Sequence, residues 1–308
     1  MKKEFPGGVW PVMLTPFNEK REVDYQALRQ LVEWYIGNGV SGLFAVCQSS
    51  EMFYLTLEER LSVSRAVVEA AGGRIPVIAS GHVSDKFEDQ VEELKEMAGT
   101  GVDAVILITN RLAAEDESDE VWIHNCRRLL KEIPENIPLG FYECPYPYKR
   151  LLSVDMIRWC ADTERFFFLK DTCCDANKIH SKLEAIRESN MKLYNANTTT
   201  LLESLRDGAE GYSGVMANFH PGLYVWLCEN YEKEEAIEVS DLLTLMSLIE
   251  RQCYPVNAKY FLRDIEHLDF TTLCRVKDDG ELTETFRREV RALERVTRKL
   301  MDKYEIGR

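Results

Sequence analysis

The sequence predicts an α/β fold, a (β/α)8 barrel with an appended C-terminal helical segment, and three observations carry that expectation. Eight short apolar runs of strand character recur along the chain, and amphipathic helical patterns lie between them. Similar helix-to-strand turns repeat as Gly37-Asn38-Gly39-Val40, Gly99-Thr100-Gly101-Val102-Asp103 and Asp207-Gly208-Ala209-Glu210-Gly211. The strands are expected at 9–17, 42–47, 75–80, 104–109, 137–144, 166–170, 192–196 and 211–216. Most intervals between them hold a helix and two loops, which is the signature of parallel βαβ units. Asp24 is placed to cap the first helix ahead of Leu28, Leu31, Val32, Tyr35 and Ile36. Thr56-Leu57-Glu58-Glu59 has the pattern of a capping box. A doubly wound open sheet would carry a glycine fingerprint after its first strand, but here that strand runs into Thr15-Pro16-Phe17. After Ser213 the pattern is helical to the end, with stripes over 223–231, 236–250, 256–262 and 284–304. That is more helix than a barrel needs, so the division is expected at residues 1–222 for the barrel and 223–308 for a helical segment packed on it. Such a segment is a natural surface for a homo-oligomer, a dimer or tetramer.

Composition narrows the class. The chain has 308 residues, 45% of them hydrophobic, enough for one large core. A net charge of −14 argues against nucleic acid as a partner, since phosphate binding needs clustered Lys and Arg. The basic stretch 287–303 interleaves Glu289, Glu294 and Asp302 with apolar residues at helical spacing, which reads as the solvated face of a docked helix. No apolar stretch of membrane-spanning length is present, and no signal-peptide core follows Met1. Nine cysteines, an odd number without paired spacing, suit a reduced, cytoplasmic protein. The five histidines lack metal-ligand spacing, so no metal is expected, and Cys173-Cys174 lacks the geometry of a C-x-x-C redox pair.

In a barrel the C-terminal ends of the strands meet at one rim. Those ends carry Thr15, Gln48-Ser49, His82, Asn110, Tyr142, Lys170-Asp171-Thr172, Asn197-Thr198, Met216 and Asn218. Lys170 ends the run Phe166-Phe167-Phe168-Leu169, where burial would lower its pKa and make it a nucleophile toward carbonyls. The plainer explanation is a lysine that snorkels to the rim or pairs with Asp171. Tyr142 ends the preceding strand, so it would neighbour Lys170. It could move protons if the lysine depressed its phenol below the usual value of about 10.

These residues resemble the dihydrodipicolinate synthase / N-acetylneuraminate lyase family of Schiff-base, pyruvate-dependent aldolases. The similarity runs over essentially the whole chain. Gly8-Val9-Trp10-Pro11-Val12-Met13-Leu14-Thr15-Pro16-Phe17 is similar to the family's first strand. Tyr142-Glu143-Cys144-Pro145 matches its Tyr-Asn-x-Pro motif except at the Asn, and Leu169-Lys170-Asp171-Thr172 matches its lysine segment. The resemblance implies that Lys170 forms an imine with a 2-keto acid and Tyr142 carries protons, with no cofactor beyond that covalent imine. It also implies that the amides of residues 48–49 and the Ser49 hydroxyl hold the keto acid's carboxylate. Gln48, Ser49, Thr172 and Ser213 form the expected substrate-binding set.

The departures bear on substrate. Cys47 and Ser50 stand where the carboxylate loop has glycines. The tyrosine that the synthases place after the fourth strand is missing from Thr109-Asn110-Arg111-Leu112, and Pro147 stands where they bind the aldehyde's carboxylate with arginine. Thr198-Thr199 replaces the acidic pair with which sialic acid lyases grip sugar hydroxyls. The expected activity is therefore aldol cleavage or condensation of pyruvate or a 2-keto-3-deoxy sugar acid, with an aldehyde as second substrate. The alternatives are dehydration of such an acid through the same imine, or a non-catalytic keto-acid-binding barrel.

Overall fold

The computed structural model describes residues 5–307. Eight strands alternate with helices: β1 (Gly8–Val9), α1 (Tyr25–Gly37), β2 (Leu43–Phe44), α2 (Leu57–Ala71), β3 (Val77–Ser80), α3 (Phe87–Ala98), β4 (Ala104–Ile108) and α4 (Asp119–Glu132) come first. They are followed by β5 (Leu139–Tyr142), α5 (Val154–Asp162), β6 (Phe166–Asp171), α6 (Ala176–Ile186), β7 (Lys192–Asn195), α7 (Leu201–Arg206), β8 (Gly211–Tyr212) and α8 (Pro221–Asn230). The strands are parallel in the order β1-β8-β7-β6-β5-β4-β3-β2. The ring closes between β1 and β2 through a bridge of Val12 with Phe44, where the Phe44 N–H donates to Pro11 O at 3.0 Å and the Met13 N–H to Phe44 O at 3.0 Å.

Several strands are shorter than the apolar runs that announced them. The first run, expected over 9–17, pairs regularly only at Gly8–Val9, because Pro11 and Pro16 have no N–H to give to a ladder. The eighth, expected over 211–216, ends at Tyr212, and Val215–Asn218 turns into a 3-10 helix. Two glycines let this closure form. A Cβ on Gly211 would stand 1.9 Å from the Gly8 carbonyl oxygen, and one on Gly42 would stand 2.3 Å from the Trp10 ring.

The expected caps are present. Asp24 Oδ1 accepts the N–H groups of Gln26 and Ala27 at 3.0 Å, satisfying donors at the start of α1. Thr56 Oγ1 accepts the Glu59 N–H at 3.2 Å, and Glu59 Oε2 accepts the Thr56 N–H at 2.9 Å, a reciprocal capping box. The barrel interior is filled by aromatic side chains from alternating positions. Trp10 meets Phe168 edge-on at 5.2 Å, Phe168 stacks on Tyr194 at 4.2 Å, and Phe44 meets Tyr142 edge-on at 5.8 Å. This layer is the floor beneath the C-terminal mouth.

Helix α8 packs on β1 as the eighth barrel helix, so the expected division at 222/223 falls inside its first turn. Three further helices follow: α9 (Glu235–Met246), α10 (Val256–Asp264) and α11 (Glu284–Lys303), with a 3-10 turn at Ser247–Arg251 between α9 and α10. A buried ion pair ties this segment to the barrel mouth. Lys259 of α10 donates to Glu51 Oε1 at 3.0 Å, and Glu51 Oε2 accepts the N–H groups of Arg275 and Val276. All nine cysteines are free thiols. Among the described residues no helix is long and apolar enough to cross a membrane.

Candidate active site

Lys170 and Tyr142 are register partners on β6 and β5. Strand alternation turns Phe168 and Lys170 into the barrel and Asp171 outward toward the helices. The Lys170 ammonium lies 4.0 Å from the centroid of the Tyr142 ring and 5.9 Å from that of Phe44. It is 4% exposed, and among the described residues no carboxylate pairs with it. Desolvation lowers its pKa to about 8, with Cys47, Cys144 and Glu250 pulling weakly the other way.

The ion pair with Asp171 that would have made Lys170 a structural residue is absent. Asp171 instead accepts from Lys182 of α6 at 2.5 Å, and Lys182 also donates to Glu143 Oε1 at 2.5 Å. Glu143 is fully buried behind Tyr142, where the resemblance expects Asn, and Lys182 neutralises it. The other Glu143 oxygen accepts the Thr172 N–H at 3.0 Å. Asp171, Glu143 and Lys182 thus form a closed ionic strut on the far side of the strands, and Lys170 is left without a counter-ion.

Tyr142 departs from expectation in its electrostatics. Burial holds its phenol well above the ordinary value, and the neighbouring Cys144 and Cys47 add to the rise. The expected depression by Lys170 fails because the ammonium sits over the ring face, while the phenol donates to Gln48 Oε1 at 3.4 Å. Tyr142 is therefore a protonated hydrogen-bond donor at neutral pH.

The carboxylate loop keeps a tight turn without its glycines. Gln48–Ser50 form a 3-10 turn, in which Ser50 Oγ accepts the Cys47 N–H at 2.6 Å and donates to Cys47 O at 2.8 Å. The Cys47 sulfur accepts from the amides of Ser49 and Ser50. The Ser49 amide, which the resemblance assigned to the substrate carboxylate, thus has a thiol against it. Gln48 is exposed, and Ser49 hydrogen-bonds the Tyr254 phenol.

The remaining rim residues divide in two. Ser213 is fully buried with a hydroxyl that has no hydrogen-bond partner, as is Ser80. Thr172 is engaged on every side: its hydroxyl donates to Glu143 O at 2.7 Å and its carbonyl accepts from Lys149 at 2.7 Å. His82 is a neutral structural residue, its Nε2 accepting the Ile108 N–H at 2.6 Å and its Nδ1 3.2 Å from Gln90 Oε1, with burial lowering its pKa to about 3. Asn110 donates to the carbonyls of Cys144, Tyr146 and Tyr148, and Thr15 to Ser50 O. Asn218 accepts from Tyr35 and donates to Val12 O and to the Tyr254 hydroxyl. Thr198 shares hydrogen bonds with the hydroxyls of Tyr224 at 2.7 Å and Tyr212 at 3.3 Å, and Met216 is buried.

Sequence reasoning missed Tyr254 and Glu250, which the C-terminal segment brings to the mouth. Glu250 is the last residue of the helical stripe expected over 236–250, and Tyr254 lies between that stripe and the next, so no pattern in the sequence singled out either. Among the described residues no group of three or more His, Cys, Asp or Glu side chains is placed to hold a metal ion.

Lys170, without a counter-ion and with its pKa lowered by burial, stands beside Tyr142 at the C-terminal mouth of an eight-stranded barrel, the end at which enzymes of this fold carry their active sites. A model of the dihydrodipicolinate synthetase family matches residues 5–293, and the chain belongs to that family of pyruvate-using class I aldolases. The chain is 30% identical over 223 residues to the 4-hydroxy-tetrahydrodipicolinate synthase of Anaplasma marginale, covering 71% of each chain. It is 27% identical over 236 residues to that of Oceanobacillus iheyensis, covering 77% of this chain and 78% of the relative. The fold is shared with a dihydrodipicolinate synthase from Acinetobacter baumannii complexed with pyruvate, at a TM-score of 0.84 and 23% identity over 95% of this chain and 99% of that one. It is also shared with CdNal from Clostridium difficile in complex with mannosamine, at a TM-score of 0.82 and 18% identity over 94% and 99% of the two chains.

Proposed function

We propose that this protein is a lyase that makes or breaks a carbon–carbon bond next to a 2-keto acid bound as an imine at Lys170. The observation that supports this most is the unpaired, buried Lys170 ammonium in register with Tyr142. With a pKa near 8, a useful fraction of Lys170 is the free amine at neutral pH. The amine adds to the C2 carbonyl of pyruvate or of a 2-keto-3-deoxy sugar acid to give a carbinolamine. Tyr142 donates its phenol proton to the departing hydroxyl, which leaves as water, and the nitrogen lone pair closes the iminium. The positive charge so created lies over the Tyr142 ring face, a favourable cation–π placement.

In the cleavage direction the C3–C4 bond breaks, its electrons flow into the iminium to form an enamine, and the C4 hydroxyl gives its proton to the Tyr142 phenolate left by the dehydration step, which restores the phenol. In the condensation direction the pyruvate enamine attacks an aldehyde and the steps reverse. The substrate carboxylate is held at the Gln48–Ser49 turn, taking the Ser49 amide from the Cys47 sulfur. The unpartnered Ser213 hydroxyl supplies a further donor: left unmade, such a bond costs roughly 1–3 kcal/mol.

Incubation with pyruvate, reduction by borohydride and weighing of the protein tests the reading. A reduced pyruvyl adduct on the wild type that vanishes in Lys170→Ala is expected. No adduct, or one that survives that substitution, contradicts it.

A further inference from the structure

Glu250 has no part in the steps above, yet it stands at the mouth. It lies on the Ser247–Arg251 turn, which packs against the Val215–Asn218 turn that follows β8. Its charge is felt by Lys170 on β6, Cys174 after β6, Tyr212 on β8, Tyr224 on α8 and Tyr254 before α10. Among the described residues nothing hydrogen-bonds its carboxylate, and neither oxygen is sealed from solvent. The other acids around the mouth are fully buried and committed: Glu51 to Lys259, Glu143 and Asp171 to Lys182. The cations that act on it are Arg251, exposed beside it, and Lys170 across the mouth, while Lys149, which like Glu250 acts on Cys174, donates to the Thr172 carbonyl. The tyrosines near it are occupied or apolar in effect, since Tyr212 and Tyr224 stack at 4.1 Å and share Thr198.

Resting on the Schiff-base reading, we propose that Glu250 is the distal binding group for the second substrate and selects a neutral, hydroxyl-bearing aldehyde over an anionic one. A hydroxyl that donates to this half-buried carboxylate forms a charge-assisted bond, stronger than one between neutral groups. A carboxylate on the incoming aldehyde would instead meet a like charge in a partly desolvated site.

The test separates the two steps. Imine formation is measured with pyruvate and borohydride, which needs no aldehyde. Condensation is then measured with pyruvate plus either glyceraldehyde or succinic semialdehyde, in wild type, Glu250→Gln, Glu250→Arg and Lys149→Ala. Trapping should stay within about threefold in both Glu250 variants, while Glu250→Gln raises the KM for glyceraldehyde about ten- to a hundredfold with a smaller change in kcat. Glu250→Arg should raise the use of succinic semialdehyde by at least about tenfold. Intact trapping with an unchanged aldehyde preference in both Glu250 variants would overturn the proposal. A wild type that prefers succinic semialdehyde and loses that preference in Lys149→Ala would overturn it too, assigning the subsite to Lys149. Absence of trapping in the wild type overturns the underlying Schiff-base reading and this proposal with it.

Discussion

Lys170 and Lys182 lie twelve positions apart and are equally buried, at 4% and 3% exposed, yet their environments drive them in opposite directions. Lys182 projects from α6 into two carboxylates, Asp171 and Glu143, whose charges raise its pKa against the desolvation of its buried site. Lys170 projects into aromatic rings and thiols, and its pKa falls to about 8. Burial alone therefore makes neither a strut nor a nucleophile. The counter-ion decides, and strand alternation decides which lysine receives it: Asp171 follows Lys170 directly but faces the other way.

Substitutions can break or sharpen that contrast. The largest expected effect is on the reactive side. Tyr142→Phe should slow cleavage or condensation by about 10²–10⁴-fold while leaving part of the imine trapping, because it removes the proton carrier and keeps the aromatic face. Steady-state kinetics with parallel trapping measure the split, and wild-type rates would remove Tyr142 from the mechanism.

Stability reads the two lysines with opposite signs. Lys182→Met leaves two buried carboxylates without a cation and should cost about 3–5 kcal/mol in urea unfolding at pH 7. Lys170→Met removes a buried ammonium that has no counter-ion. Its folded pKa of about 8 lies below the unfolded value of 10.5, so the folded state pays to keep the charge at pH 7. The variant should be more stable than wild type by about 3 kcal/mol at pH 7, at 1.36 kcal/mol per pKa unit. Wild type regains that difference as the pH rises from about 8 to 10.5, where its unfolded chain binds more protons than the folded one. The Lys182 contribution has the other sign: raised in the folded state, it is fully present below 10.5 and is lost only above it. Parallel pH dependences for the two variants would show that the two lysines do not differ as described.

The smallest effect is at the loop. Cys47→Ala removes the sulfur from the Ser49 and Ser50 amides and should lower the pyruvate concentration needed for half-maximal trapping, by about three- to tenfold. An unchanged or weaker response would show that the sulfur does not compete with the substrate.

The contrast between the lysines also marks what could be read from the chain. Lys170 and Tyr142 were legible because strand order and strand ends are set by apolar runs and turns, and their adjacency follows from the barrel. Lys182 was not, since on a helical pattern it looks like any solvated lysine. Its burial depends on Glu143, whose need for a cation becomes visible only when the two elements are packed together. Glu250 and Tyr254 were hidden for a related reason: helical stripes show which face is buried and leave open which turn reaches the mouth. The extents of β1 and β8 were overread because apolar character continues past the last paired residue, through Pro11 in one case and into a 3-10 turn in the other. The phenol of Tyr142 was misjudged because adjacency in register does not fix whether an ammonium meets the ring or the hydroxyl.

The central claim is tested most directly by pyruvate trapping with borohydride, followed over about pH 6–10 and mapped to the labelled peptide. The account predicts label on Lys170, none on Lys182 or Lys259, and a trapping rate that rises with a midpoint near pH 8. Label on another lysine, or a midpoint near the ordinary lysine value of 10.5, would contradict it.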